Sequence, residues 1–126
     1  MWFYWNSVYT SGRDMSDPVT TYVQKGHLVC QIQEDALNIF NFSVISARCS
    51  DALVTNGSSS VILDMTKVDM IDSVGVGLLV RLRKTIEEKG AKFSICGISP
   101  GVDQVFKLFD FHRQFNIYPT VKDAAG

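Results

Sequence analysis

The sequence predicts a single α/β domain with a mixed, mostly parallel β-sheet. Segments with two-residue alternation or short aliphatic runs recur between segments with helical spacing, in the order β-β-α-β-α-β-α-β. The first two strands are separated only by Lys25-Gly26, which makes a hairpin and hence an antiparallel pair. Each later strand is followed by a helix-length segment, which implies crossover connections and parallel pairing.

A chain of 126 residues fits one domain. We assign residues 17–126 to it and treat 1–16 as an amino-terminal extension, poorly ordered or loosely packed. Its crowded Trp2, Phe3, Tyr4 and Trp5 are preceded by no lysine and followed by no long apolar core, so it makes a poor secretory signal. Met15 resembles a natural chain start, and the aromatic cluster is otherwise an anchor for a partner or membrane surface.

Val19 to Gln24 and His27 to Gln33 form the hairpin. In the second strand Leu28, Cys30 and Ile32 share one face, against Val29, Gln31 and Gln33. From Phe42 the spacing turns helical through Ile45, Cys49, Ala52 and Leu53, with Ser43 or Asn41 as a cap and Gly57 as the stop. Val61-Ile62-Leu63 is a buried strand ended by Asp64. A second helix opens after Asp72-Ser73 and buries Leu78, Leu79, Leu82 and Ile86, ending at Lys89-Gly90. Lys92 to Cys96 is a strand. Ser99 caps a third helix with Pro100 at its first position, and Val102, Val105, Phe106 and Phe109 are its buried stripe. Phe115 to Tyr118 is a short strand, and Thr120 to Ala124 about one helical turn.

Composition excludes several function classes. The 12 basic and 13 acidic residues leave a net charge of −1 with no basic stripe, which speaks against nucleic acid. No apolar run reaches the roughly 18 residues of a spanning helix. Cys30, Cys49 and Cys96 lack metal or redox-motif spacing and read as buried thiols of a reducing compartment, the cytoplasm fitting best. Neither His27 nor His112 has another His, Cys or carboxylate at metal-ligand spacing in the sequence. Gly75-Val76-Gly77 lacks the third glycine of a dinucleotide loop, and Ser73 is in no nucleophile elbow. Asp64, Asp69 and Asp72 read as exposed turn residues rather than magnesium ligands. Neither a metal nor a cofactor is expected, and the chain is not expected to be an enzyme.

The stretch from Val61 to Leu82 remains. Gly75 and Gly77 weaken a helix by roughly 1 kcal/mol each relative to alanine, which implies that another surface approaches this backbone closely. Ser73 is by pattern either a helix cap or a hydroxyl open to phosphorylation. Phosphate at a helix start is tolerated by the fold, whereas burying it against a partner beside Asp69 and Asp72 is costly.

Val61-Ile62-Leu63-Asp64 followed by Met70-Ile71-Asp72-Ser73-Val74-Gly75-Val76-Gly77-Leu78 resembles the central strand and loop-helix of STAS domains, most closely the bacterial anti-sigma factor antagonists. Cys96 to Val102 and Val105 to Leu108 are similar to the family's later strand, turn and helix; Val121 to Ala124 resembles its closing helical turn loosely. The resemblance implies a sheet with helices largely on one side. It implies that Ser73 is phosphorylated by an anti-sigma factor of the GHKL serine-kinase type and dephosphorylated by a PPM-type phosphatase. The unphosphorylated form would bind the anti-sigma factor and release a sigma factor. The partner surface is expected at Lys67, Asp69, Met70, Asp72, Ser73, Val74, Gly75 and Gly77, on a monomer or weak dimer.

Two departures from the family stand out. Val74 replaces a frequent second serine, and Asp35-Ala36-Leu37-Asn38 stands where the family has G-x-L-D. Two other functions are compatible with the sequence. One is a STAS accessory subunit, not phosphorylated, of a transport or membrane-lipid complex. The other is a small-ligand or nucleotide binder that uses the amides around Gly75 and Gly77.

Overall fold

The structure is a computed structural model and describes residues 17–126; the extension at 1–16, with its aromatic cluster, lies outside the described residues. Strands β1 (Val19–Gln24) and β2 (His27–Ile32) form the expected hairpin around Lys25-Gly26. β4 (Ser60–Asp64), β6 (Lys92–Cys96) and β7 (Asn116–Tyr118) join β2 in a five-stranded sheet of order β1-β2-β4-β6-β7. Every pairing after the hairpin is parallel, so the sheet is mixed and mostly parallel as predicted.

Helices α1 (Ile39–Asn56), α2 (Ser73–Glu88) and α3 (Pro100–Leu108) cover one face. Their buried residues Ile45, Cys49, Leu79, Leu82, Ile86, Val102 and Phe106 pack on Leu28, Cys30, Ile32, Val61, Leu63, Phe93 and Ile95. The alternate residues Val29, Ile62 and Cys96 are buried on the opposite face under a short closing helix, α4 (Val121–Ala125). That roof explains why β2 reads less cleanly as half-buried than its alternation suggests: Val29 points away from the main core and is still fully buried.

Three details differ from the sequence-based expectation. α1 begins at Ile39, and its cap is Asn38 rather than Asn41 or Ser43. The Asn38 side chain accepts from the amides of Phe40 (2.9 Å) and Asn41 (3.1 Å), while Asn41 Oδ1 accepts from the Asn38 amide (3.0 Å). This reciprocal box satisfies amides that the helix itself leaves open. Ile39 and Phe40 are exposed and so fall outside the apolar periodicity that marks the rest of the helix. On α3, Val105 is only partly buried and Phe109 caps the helix exposed at 43%. Their places in the core are taken by Phe111 and Phe115, which pack on Phe106 with ring centroids 5.5 and 6.5 Å away. Finally, a two-stranded parallel ribbon, β3 (Ala36–Leu37) with β5 (Met70–Ile71), pairs Leu37 with Ile71. Two-residue strands lie below what alternation can reveal.

Candidate functional site

The small ribbon organises the site. β3 runs into α1 and β5 runs into α2, and because the strands are parallel and in register, the two helices start side by side. Their caps, Asn38 and Asp72, follow the paired residues Leu37 and Ile71. A hollow of about 260 Å³ lies between them, lined by Ala36, Leu37, Asn38, Met70, Ile71 and Asp72.

The cap of α2 is Asp72, not Ser73. Its carboxylate accepts from the Gly75 amide at 2.8 Å, and its carbonyl accepts from the Val76 amide at 3.0 Å. Ser73 is therefore the first residue of the helix proper, and its side chain is exposed. The amides of Ser73 and Val74 belong to the set that helix geometry leaves without an intrahelical acceptor. A nucleotide cradle on the Gly75 amide is blocked, because a carboxylate already occupies it.

The two glycines do different things. A Cβ on Gly75 would lie 2.6 Å from Ile71 Cγ1 and 2.8 Å from the Leu37 carbonyl oxygen. Gly75 thus lets α2 sit against the backbone of β3. The close surface expected from the sequence is, at this position, the protein's own. Gly77 is exposed, and a Cβ there would meet nothing within 4 Å.

Beside the exposed Asp69 and Asp72, two apolar side chains near Ser73 in the chain are exposed: Met70 at 71% and Val74 at 51%. Ile39 (66%) and Phe40 (89%) add to them from the neighbouring helix start. Neither was singled out in the sequence; the signal would have been two consecutive large apolar residues immediately after a capping Asn. A shallow groove continues between α1 and α2, lined by Ile39, Phe42, Ser43, Leu78 and Arg81, with the Arg81 guanidinium 5.5 Å from the Phe42 ring centre.

Lys67 and Asp69 lie on the connection from β4 to β5, both exposed. The Lys67 ammonium donates to Gln33 Oε1 at 2.7 Å, and the Asp69 amide donates to the Asp35 carbonyl at 2.8 Å. Asp64 is not the exposed turn residue the sequence suggested. It is 4% exposed, and its carboxylate accepts from Gln31 Nε2 (3.0 Å), from the Thr66 amide (2.9 Å) and from the Thr66 hydroxyl. Those bonds satisfy a buried carboxyl group and pin the start of the loop that leads to Ser73. Among the described residues no group of His, Cys, Asp and Glu side chains is placed to hold a metal ion.

Both histidines have polar partners that are distant in the sequence. His112 Nε2 lies 2.8 Å from Asp103 Oδ1, and Lys107 lies 3.1 Å from Asp103 Oδ2, holding the Asp103 carboxyl below the usual range. His27 Nδ1 is hydrogen-bonded to Ser60 Oγ. The three cysteines are buried thiols. Burial, then the nearby Asp64 charge, pushes the Cys96 thiol up to about 12, so it is protonated and poorly nucleophilic at neutral pH. The Cys49 thiol is pushed up by its hydrogen bond to Cys30 and by burial.

Residues 18–124 match the STAS domain, and the chain belongs to that family. A Thermotoga maritima protein provisionally named an anti-sigma factor antagonist is 28% identical over 88 residues, 70% of this chain and 78% of its own length. The anti-sigma F factor antagonist of Paenibacillus polymyxa is 22% identical over 95 residues, 75% of this chain and 78% of its own. Among solved structures, the anti-sigma factor antagonist SpoIIAA in its unphosphorylated form superposes with a TM-score of 0.65 at 20% identity, covering 84% of this chain and 91% of that one. The phosphorylated form of SpoIIAA, from Bacillus, superposes with a TM-score of 0.59 at 20% identity, covering 84% and 95%. Among the described residues no helix is long and apolar enough to cross a membrane.

Proposed function

We propose that this chain is a non-enzymatic anti-sigma factor antagonist of the cytoplasm. Unphosphorylated, it binds an anti-sigma factor of the GHKL serine-kinase type and so releases a sigma factor. Phosphorylation of Ser73 by that kinase ends the binding, and a PPM-type phosphatase restores it. The partner-binding face comprises Lys67, Asp69, Met70, Asp72, Ser73, Val74 and Gly77, with Ile39 and Phe40 from the adjoining helix start and Gly75 shaping the ground beneath.

The observation that carries this reading is that Ser73 is exposed at the first turn of α2, while Asp72 performs the capping. A kinase can reach the hydroxyl, and the fold does not depend on it for a cap. Phosphate adds about −1.5 to −2 charges. The open amides of the first turn and the helix dipole favour an anion there, so the domain stays folded. A docked partner meets a different situation. It would have to desolvate that phosphate next to Asp72, at a cost on the order of several kcal/mol unless it supplies a matching cation. The exposed Met70, Val74, Ile39 and Phe40 give the unmodified surface its affinity, since such apolar area is what association removes from water.

The test is incubation with a GHKL-type anti-sigma kinase and ATP, followed by mass mapping of the modified residue and titration of the kinase with both forms. The expected result is one phosphate on Ser73 and loss of binding with it. Phosphate on another residue, or equal affinity of both forms, would overturn the switch.

A further inference from the structure

A second polar cluster lies at the other end of the sheet, where the parallel strands begin. Ser60 opens β4, and the register places it between His27, which opens β2, and Lys92, which opens β6. The His27 imidazole is hydrogen-bonded to the Ser60 hydroxyl. These three side chains form a row across adjacent strands, on the face that α4 partly covers. They line a cavity of about 120 Å³ together with Ser94, Asn116, Tyr118 and, as part of its wall, Ala124 of α4.

The lining decides the sign of what fits. It offers an ammonium, three hydroxyls, an imidazole and a carboxamide, and it contains no carboxylate. Such a set donates hydrogen bonds and carries positive charge, so it complements an oxyanion and repels a cation. The size decides the rest. The space of about 120 Å³ has room for one tetrahedral ion. The place also separates it from Ser73, which follows the carboxyl end of β5 at the start of a helix on the opposite face.

The geometry points to a binding site for a free inorganic oxyanion, phosphate or sulfate, held by Lys92, Ser60 and His27. This inference does not rest on the proposed antagonist role, because the site shares no residue with the Ser73 surface. An anion seated there ties β2, β4 and β6 together at their open ends.

The test is a titration of the unphosphorylated full chain with inorganic phosphate at constant ionic strength, followed residue by residue by NMR, with chloride as the control. The expected result is saturable movement of the His27, Ser60 and Ser94 signals while those of Ser73 and Val74 stay in place. Lys92→Gln is expected to weaken binding by at least about tenfold, the factor that corresponds to one charge-assisted hydrogen bond. Lys92 is exposed, so this variant folds, and Ser60→Ala gives an independent second reading. Shifts that do not saturate, that chloride reproduces, that centre on Ser73 and Val74, or that persist unchanged in Lys92→Gln overturn the site. O-phosphoserine binding as tightly as phosphate overturns the confinement to a free ion.

Discussion

Gly75 and Gly77 stand two residues apart on the same helix turn, and the structure gives them opposite surroundings. Gly75 is buried against Ile71 and the Leu37 carbonyl, with no room for a methyl group. Gly77 is exposed with nothing near it. The helix start therefore has two flanks. One is fixed inward to the β3-β5 ribbon and sets the position of Ser73. The other lies open, where the absence of a side chain brings the protein's stability nothing. A residue that weakens a helix by roughly 1 kcal/mol and touches nothing in its own fold is best explained by something outside it.

The largest effect belongs to the hydroxyl between these flanks. Ser73→Asp is expected to lower affinity for the anti-sigma partner by about a hundredfold or more, since each 1.4 kcal/mol is a factor of about ten and a desolvated negative charge is worth several. Ser73→Ala should bind without regulation. Both should melt near the parent temperature, because the cap is Asp72. Calorimetric titration alongside thermal melts checks this; partner affinities that match in the two variants would remove Ser73 from the switch.

Next comes the buried flank. Gly75→Ala forces a methyl group onto the Leu37 carbonyl at 2.8 Å, a backbone atom that cannot rotate away. Overpacking of this kind costs about 1–3 kcal/mol. Denaturant unfolding should show it as a lower midpoint with an unchanged slope. A stability equal to the parent's would mean that α2 slides freely on the ribbon, and that Ser73 is less firmly placed than the geometry indicates.

The cap is smaller still. Asp72→Ala removes the acceptor of the Gly75 amide and should cost about 1 kcal/mol, or a fall in melting temperature of about 4 °C. Asp72→Asn keeps the acceptor and should recover most of that. It also removes a negative charge beside Ser73, so its phosphorylated form should lose less partner affinity than the phosphorylated parent. The pair separates what Asp72 does for the fold from what its charge does at the docking face.

How far the sequence reached follows the same division between inward and outward. The long strands, the three large helices and their stripes were legible because burial imposes a period, as in Ile45-Cys49-Leu53 and Leu78-Leu82-Ile86. The place of Ser73 at the start of α2 was legible because a strand end, Asp-Ser and two glycines stood together. The β3-β5 ribbon was not legible, since two-residue strands carry no period, and with it went the alignment of both helix starts. Asp64 was read as an exposed turn residue because its partners, Gln31 and Thr66, come from a different strand and from the following loop, and only the parallel register brings Gln31 alongside. Ile39 and Phe40 carry no such period for the reverse reason: they are apolar, exposed, and serve no core.

The smallest effect is the most diagnostic. Gly77→Ala adds a methyl group where the structure has open space, so the folded state should tolerate it and gain up to about 1 kcal/mol of helix propensity. The same substitution two residues earlier should have the opposite sign. On stability alone, then, alanine is the better residue at position 77. If the open flank is where the partner lies, the added methyl group stands between two surfaces that close packing brings together, and affinity should fall while stability rises. Unfolding curves and partner titration on the one variant read both quantities. A variant that is more stable and binds as well as the parent would show that the partner does not rest on this flank, and would shift the docking face toward Met70, Ile39 and Phe40.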